Sequence, residues 1–593
     1  MHLEKQLETL LPQVQKPARY LGNEWNAVKK DHRTTAVRMA FAFPDLYEVG
    51  MSNLGLKIIY EIVNRHPEML LERVFAPAAD MEALMRQQQV PLFALESRRP
   101  LREFDLVGFT LQYELSYSNV LNMLDLAGIP FHSSARSGGE PLIIGGGPCA
   151  FNPEPLAPFF DLFLLGDGEE GLPELLERWL ALRQSGAGRD EILAALAAVE
   201  GVYIPGFYRP RYSGGSFSGM ELIHPDASPT VRKRVLRDLD SSRFPLAPVV
   251  PYIEAVHDRG IVELFRGCGR GCRFCQAGMI YRPVRRRRPE TLKKIAREIL
   301  RSTGYDELSL SSLSSCDYPG IDELIAELNR EHEAEKVRFS LPSLRLDSFS
   351  VALAGQFRQG RRGSLTFAPE AGTERLRRVI GKDISNEDLF TAIDAAVSAG
   401  WNQFKLYFMI GLPAEEDEDV AAIATLCDEL RRRIKDERDR WIRLSVSAAI
   451  FVPKAHTPFQ WEPQLSRSEV GRRQALLRSC TGGLKGVKLS WHDPGSSFLE
   501  AVFARGDRRL APLLVRARER GCRFDGWSEH FSLKRWLDLF EEMGINPEEY
   551  AYRRFGEEEP LPWDHLESGA SKKLLIREYR RARQDNPSVE VSR

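Results

Sequence analysis

"FRGCGRGCRFCQAG" spans residues 265–278 and contains three of the chain's eight cysteines: Cys268, Cys272 and Cys275. The other five are single and scattered. In a reducing compartment such a group binds a metal more often than it forms a disulfide. A structural zinc site takes four ligands in paired spacings, and no second Cys or His pair lies near this stretch. A four-iron four-sulfur cluster also usually takes four thiolates, so three of them leave one iron open to a small molecule.

The composition predicts an ordinary globular protein of several domains. A formal net charge of −1 over 593 residues gives no general attraction to nucleic acid or membrane. No apolar run reaches the ~18 residues of a membrane span, and the N-terminal segment lacks the apolar core of a signal peptide. We therefore expect a cytoplasmic protein with reduced thiols.

Short apolar strands alternate with helical patterns in the first part of the chain. The candidate strands are residues 37–44, 104–111, 141–147 and 161–168. This alternation predicts an α/β domain over residues 1–200, with a doubly wound, Rossmann-like parallel sheet and an N-terminal helix. The Gly- and Ser-rich residues 201–245 are expected to be a linker.

A second α/β series begins after the linker. Its six candidate strands are residues 260–268, 307–314, 337–345, 363–372, 403–413 and 443–453. Six successive βα units predict a partial (β/α)6 barrel of TIM type over residues 246–465. Active sites of such barrels lie at the carboxyl ends of the strands, and the three cysteines follow the first strand. Residues 466–593 are expected to form a mostly helical C-terminal domain.

With its strand context, the cysteine motif resembles the radical S-adenosylmethionine (SAM) superfamily, in which an aromatic residue such as Phe274 precedes the last cysteine. The resemblance implies that the open iron binds SAM and that reduction of the cluster cleaves SAM to a 5'-deoxyadenosyl radical. It also implies SAM contacts from Ser312 and Ser314 after the second strand, Glu370 after the fourth and Lys405 on the fifth. The alternative is that these side chains form a polar barrel interior or cap helices.

The stretch "PLIIGGGPCAFNPEPLAPFFDLFLLGDGEEGLPELLE" (141–177) resembles the N-terminal cobalamin (B12)-binding-like domain of many radical SAM proteins. The resemblance implies that Gly145 and Gly146 let a cofactor approach the sheet edge. Cobalamin proteins that replace the lower cobalt ligand use Asp-x-His-x-x-Gly, whereas "DLYEVG" (45–50) has Tyr47 at the histidine position. Either cobalamin binds without a histidine below it, or the domain has lost the cofactor. The single Cys149 argues against the methylthiotransferase branch, which carries a second three-cysteine cluster.

Two polar regions leave further alternatives open. The run "YRPVRRRRPE" (281–290) could bind RNA phosphates or a carboxylate, or be a solvated run ahead of a helix. His, Asp and Trp residues concentrated in the tail, with His456 before it, could form a lid over the barrel mouth or act as helix caps and interface groups.

The segment order resembles a bacterial group of B12-domain radical SAM proteins, which implies the class of chemistry and not the substrate. The leading hypothesis is a radical SAM enzyme, with cobalamin-dependent methyl transfer as its specific reaction. The alternatives are a cobalamin-independent RNA-modifying enzyme and a non-catalytic iron-sulfur sensor or assembly partner. The expected partner is a reductant protein such as a flavodoxin or ferredoxin, with RNA as a possible substrate and no membrane.

Overall fold

The computed structural model of the chain describes residues 2–342 and 364–585. Its first large unit is a six-stranded sheet. The strands are β1 (Val37–Phe43), β2 (Met69–Phe75), β3 (Leu106–Thr110), β4 (Leu142–Gly146), β5 (Leu162–Leu164) and β6 (Val202–Tyr203). They lie in the order β2-β1-β3-β4-β5-β6, and only the β5–β6 pair is antiparallel. The predicted doubly wound sheet is therefore confirmed.

The strand order reverses between β1 and β3, because the chain first adds β2 on one side and then crosses to the other. In doubly wound sheets such a reversal leaves a crevice at the carboxyl ends of the strands, where ligands bind. The helices of this unit are His2–Leu10, Tyr47–Gly50, Leu54–Arg65, Ala79–Gln88, Tyr117–Leu126, Gly168–Gln184 and Arg189–Leu196. Asn53 begins the helix Leu54–Arg65, since its side chain accepts a hydrogen bond from the Leu56 N–H at 2.8 Å.

Residues 201–245 contain more structure than the linker prediction implies. Besides β6, they form a hairpin of β7 (Tyr208–Ser213) and β8 (Ser216–Leu222). They also include the short strand β9 (Val231–Arg232), which pairs with a segment near the C-terminus at Leu566–Glu567.

The middle of the chain forms two parallel sheets. The first contains β10 (Gly260–Glu263), β13 (Glu307–Ser311) and β14 (Arg338–Ser340) in that order, while β11 (Phe265–Arg266) and β12 (Arg285–Arg286) form a separate short ribbon. The second contains β15 (Leu365–Glu370), β16 (Gln403–Ile410), β17 (Arg443–Ile450) and β18 (Val487–Trp491). Among the described residues no strand pairing closes these sheets into a barrel. The ends of two predicted strands, residues 343–345 and 363, lie outside the described ranges.

Helices cover these two sheets. They are Pro289–Thr303, Ile321–Glu331, Glu374–Val379, Asn386–Ser398, Asp417–Arg438 and Arg467–Thr481. Side chains of the strands and helices share one core, in which Leu310, Phe367, Leu406 and Val446 are fully buried. The last helix and β18 lie beyond the boundary predicted at residue 465, so the sheet has a strand that the six-unit pattern did not include. The domain boundaries stay predictions.

The remaining C-terminal helices, Pro494–Ala504, Ala511–Glu519, Leu533–Glu542, Pro547–Ala551 and Lys572–Gln584, divide between two units. Phe498, Leu513 and Trp536, from the first three, belong to the core of the N-terminal sheet. Leu575 and Tyr579, from the last helix, instead join a small core beside the cysteine loop. No helix in the described ranges has the length and apolar character that a membrane crossing requires.

Candidate active site at the cysteine loop

The cysteine motif forms a loop between the two strands of a short antiparallel ribbon. Phe265 of β11 pairs with Arg286 of β12, which holds the ends of the loop together. Gly267 starts the loop at φ +89°, and a Cβ there would lie 2.6 Å from the carbonyl oxygens of Tyr281 and Pro283. Only glycine fits this crossing, because any side chain would collide with the returning backbone.

The three cysteines of the loop are reduced and partly exposed. Cys275 precedes the helix Gln276–Ile280, and its sulfur accepts a hydrogen bond from the Gly278 N–H at 3.3 Å. Burial raises the pKa of Cys275 to about 11, and the negative charges of Cys272, Cys268 and Glu370 add to the increase. The two other thiols and the Glu370 carboxylate are therefore electrostatic neighbours of Cys275.

The donor set fits a cluster better than a single ion. Over residues 2–342 and 364–585, no three His, Cys, Asp or Glu side chains are arranged to hold a metal ion. In a four-iron cluster each thiolate binds a different iron, so the sulfurs need not converge on one point as they do around zinc. Three thiolates on one loop are the ligands that a cluster with an open iron requires, and Cys268, Cys272 and Cys275 stay the predicted ligands.

Strand β16 presents a polar face and an apolar face, as its alternation predicts. Phe404 and Leu406 are buried in the core, whereas Lys405 and Tyr407 are half-buried on the opposite face. The Lys405 Nζ lies 4.8 Å from the centre of the Tyr407 ring, in a cation–π contact. Lys405 and Tyr407 thus share one face.

Glu370, the last residue of β15, has the left-handed backbone conformation, with φ +72°. The pairing register with β16 shifts between Phe367 and Glu370. Its Oε1 accepts from the Lys382 Nζ at 2.9 Å. Such a conformation costs a non-glycine residue about 1–3 kcal/mol and often marks a functional position. The partner Lys382 is a residue that the sequence did not reveal, since nothing in its surroundings distinguishes it from a surface lysine.

Ser312, Ser314 and the loop residue Phe274 each have different neighbours. Ser312 Oγ lies 3.0 Å from Ser315 Oγ and lines the adjoining cavity. Ser314 is buried, and its hydroxyl donates to Asp317 Oδ2 at 2.7 Å, while Arg270 of the cysteine loop donates to the same oxygen at 2.8 Å. Ser314 thus connects the end of β13 to the loop. Phe274 packs against the small core that includes Met279.

A cavity of about 410 Å³ separates the cysteine loop from the N-terminal sheet. Thr110 and Gly146, at the carboxyl ends of β3 and β4, line one side, and Gly267 and Tyr281 line the other. The cavity also extends between the sheet and the helices Leu54–Arg65 and Gly168–Gln184. It therefore occupies the crevice that the strand reversal creates, with the cysteine loop as its opposite wall.

The cavity contains one amine that the sequence did not suggest. Lys233, from the predicted linker, is buried, and its Nζ donates to the carbonyl oxygens of Ile280 and Arg282, each at 2.6 Å. Burial lowers its pKa to about 8. Only the fold brings this lysine to the end of the cysteine loop, so no local motif could have indicated it.

Gly145 and Gly146 both line this cavity, but for different reasons. A Cβ on Gly145 would lie 2.4 Å from Phe163 Cδ1, so its small size is required by core packing. A Cβ on Gly146 would meet only the Leu164 carbonyl oxygen, at 3.6 Å, which is an ordinary contact. Gly146 is thus the position at which a side chain would reduce the cavity without displacing the core.

Tyr47 is engaged away from this cavity. It is buried, and its hydroxyl donates to Glu24 Oε1 at 3.0 Å, in a network with Arg73. Burial raises its pKa, so it is a neutral phenol. Asp45 accepts from the Trp527 Nε1 at 2.9 Å. Neither Tyr47 nor Asp45 lines the cavity, so this motif supplies no cobalt ligand there.

The arginine run alternates between buried and exposed side chains. Arg285 is buried and donates to Asp167 and to the Leu236 carbonyl oxygen. Arg287 is buried and donates to the carbonyl oxygens of Leu239 and Ser242. Arg288 is exposed but pairs with Asp240. The run therefore binds the ribbon of β11 and β12 to residues 236–242. Neither the solvated nor the phosphate-binding interpretation describes Arg285 and Arg287.

The polar residues of the tail act as caps and internal bonding groups. Asp493 caps the helix Pro494–Ala504, and Asp525 is buried and accepts from Ser118 and Trp536. His456, after β17, is buried with its Nε2 at 2.9 Å from the Phe151 carbonyl oxygen. These contacts correspond to the cap and interface alternative.

Comparison with known proteins agrees with this architecture. Residues 55–205 match the family model described as radical SAM proteins, N-terminal, and residues 262–427 match the radical SAM superfamily model. An uncharacterized protein of Methanocaldococcus jannaschii is 27% identical over 514 residues, which cover 86% of this chain and 97% of that protein. The threonylcarbamoyladenosine tRNA methylthiotransferase MtaB of Treponema pallidum is 24% identical over 185 residues, 30% of this chain and 37% of that protein.

Among solved structures, the cobalamin-dependent SAM radical enzyme OxsB with aqua-cobalamin bound aligns with a TM-score of 0.49 and 12% identity, over 93% of this chain and 80% of that chain. The matched models, the cysteine loop and the parallel sheets all indicate a radical SAM protein. A radical SAM domain implies a four-iron four-sulfur cluster and SAM as cofactors. The chain belongs to the radical SAM superfamily.

Proposed function

We propose that this protein is an enzyme that cleaves SAM reductively and directs the reaction at a substrate in the cavity between the cysteine loop and the N-terminal sheet. The observation that carries the proposal is that this loop forms one wall of that cavity, through Gly267 and Tyr281. A reactive species made at the loop would therefore face a substrate site directly. When bound, the cluster and SAM supply one-electron cleavage chemistry.

In this proposal the chain's own residues bind, orient and exclude water. Cys268, Cys272 and Cys275 hold the cluster. Glu370, whose carboxylate is fixed by Lys382, orients SAM at the carboxyl end of β15. Apolar side chains on the helix wall of the cavity, such as Ile58 and Ile59, keep water from the reactive centre.

We further propose cobalamin-dependent methyl transfer as the specific reaction. Two features support it: the cavity lies at the carboxyl ends of a parallel sheet, and Gly146 leaves room for a ligand there. Since Tyr47 lies elsewhere, the cobalamin would bind without a histidine ligand from that motif. A direct measurement of corrinoid binding tests this reaction. The RNA-modifying alternative has less support, because Arg285 and Arg287 are buried.

The proposal is tested with anoxically reconstituted protein. We expect iron-sulfur absorbance and formation of 5'-deoxyadenosine from SAM with dithionite, both lost in Cys268→Ala, Cys272→Ala and Cys275→Ala. Cys480→Ala, a partly exposed cysteine far along the chain, is the matched control and keeps both. A cluster without SAM cleavage would favour the sensor or assembly alternative. A corrinoid spectrum in protein expressed with cobalamin tests the methyl-transfer proposal separately.

A further inference from the structure

A second cavity, of about 430 Å³, borders the cysteine loop and shares no lining residue with the first. Arg270, Gly271 and Met279 of the loop form one side of it, and the C-terminal helix Lys572–Gln584 forms the other. Met279 and Ile280 are consecutive in one short helix, and they face different cavities. The loop thus separates an inner cavity from a cleft on its other side.

This cleft, which we call the arginine cleft, is strongly basic. Six arginines line it against three acidic side chains: Arg270, Arg273, Arg282, Arg378, Arg577 and Arg581 against Asp383, Glu578 and Asp585. Four of the six, Arg270, Arg378, Arg577 and Arg581, are exposed, and Arg270 is paired with Asp317. The whole chain has a formal net charge of −1, so this excess of positive charge is a local feature.

We infer that the arginine cleft is the docking site for an acidic one-electron carrier protein, an inference that rests on the proposed function. Reductive cleavage needs one electron, which the carrier loses and the cluster gains. Electron transfer weakens steeply with distance, and Gly271 of the cleft is adjacent to Cys272 in the chain. Complementary charge steers weak redox encounters, which bury small interfaces. An acidic carrier therefore matches both the charge and the position of the cleft.

The neighbouring arginines also explain why the cleft keeps its shape. Arg273 is buried and donates to the carbonyl oxygens of Arg378 and Val379 and to Asp585, which fixes the loop against the helices on both sides. Arg270 is paired with Asp317. Arg378, Arg577 and Arg581 can therefore be changed while Arg273 and Arg270 still hold the loop in place.

The test compares two reductants on full-length reconstituted protein. The variant Arg378→Glu/Arg577→Glu/Arg581→Glu is compared with Arg102→Glu/Arg237→Glu/Arg440→Glu, three exposed arginines that do not line the cleft. Using a purified flavodoxin with its reductase at low salt, we expect 5'-deoxyadenosine formation to fall by about tenfold or more in the cleft variant only. With dithionite, both variants should match the unmodified protein. Added salt should slow the flavodoxin reaction of the unmodified protein.

Equal flavodoxin-supported rates in the cleft variant and the control would overturn the inference. A loss with dithionite as well would also overturn it, because the arginines would then serve the site itself, as would binding of RNA in preference to flavodoxin. If the unmodified protein cleaves no SAM with dithionite, the proposed function fails. Docking is then decided by flavodoxin affinity alone, which must be weaker for the cleft variant.

Discussion

Arg266, immediately before the cysteine loop, donates from Nη1 to Asp167 Oδ1 at 2.8 Å. Asp167 precedes the helix Gly168–Gln184 of the N-terminal domain, so this bond joins the two walls of the inner cavity. Arg266 also pairs with Glu169 at 2.6 Å and with Glu263 at 3.0 Å. The Arg266 guanidinium therefore pairs with three carboxylates between the cysteine loop and the N-terminal sheet.

Replacing Arg266 with Gln should destabilise the protein by about 3–5 kcal/mol, because it removes the cationic partner of the largely buried Glu169, although Asp167 keeps Arg285. The measurement is the denaturant dependence of unfolding. Arg33→Gln, which breaks the exposed pair with Asp31, is the control and should cost less than about 1 kcal/mol. Equal effects of the two changes would contradict the role of Arg266 as an interface tie.

Replacing Glu370 should impair SAM binding without lowering the stability of the fold. Glu370→Gly removes the backbone strain of a left-handed glutamate, so we expect the free energy of unfolding to stay within about 1 kcal/mol of the unmodified protein. The loss of the carboxylate should raise the KM for SAM by about tenfold or more, the effect of losing a hydrogen bond to a charged group. Glu370→Gln should raise the KM similarly. An unchanged KM in both variants would remove Glu370 from the SAM site.

Substitutions of Gly145 and Gly146 distinguish core packing from ligand binding. Gly146→Val should fold normally, because its side chain enters the inner cavity, but it should weaken corrinoid or substrate binding there. Gly145→Val should lower stability by at least about 1–3 kcal/mol through overpacking against Phe163. Thermal unfolding and a corrinoid titration separate the two effects. Full corrinoid binding by Gly146→Val would place the cofactor outside this cavity.

Arg286 and Arg287 are neighbours in sequence with opposite environments. Arg287 is buried and stacks over Phe244 at 4.9 Å, whereas Arg286 is exposed. Arg287→Ala removes the donor of the Ser242 carbonyl oxygen and should cost about 1–3 kcal/mol. The Leu239 carbonyl oxygen still accepts from the Ser242 hydroxyl at 2.9 Å. Arg286→Ala should be nearly neutral. Salt-sensitive RNA binding that is lost in Arg286→Ala would instead revive the RNA-modifying alternative.

The sequence predicted those features that depend on local pattern. The cysteine spacing, the shared face of Lys405 and Tyr407 and most of the buried strands follow from motif and alternation. The buried strand β2 (Met69–Phe75) was not among the predicted strands. β18 was missed because its short, half-exposed stretch lies among helical patterns. The burial of Arg285 and the position of Lys233 depend on partners distant in the chain, such as Asp167 and Ile280, and no local signal records them.

Two buried histidines should make the fold sensitive to acid. Burial lowers the pKa of His456 and of His565 to about 4, from an ordinary value near 6.5. Between these values the unfolded chain binds more protons than the folded one, so stability is fully present above pH ~6.5 and is lost as the pH falls toward 4. Each histidine contributes up to about 3 kcal/mol to this loss. We expect Tm to fall from pH 7 to pH 5, and His456→Gln/His565→Gln should show a smaller fall, whatever its Tm at pH 7. The same pH dependence in both proteins would assign the acid sensitivity to other groups.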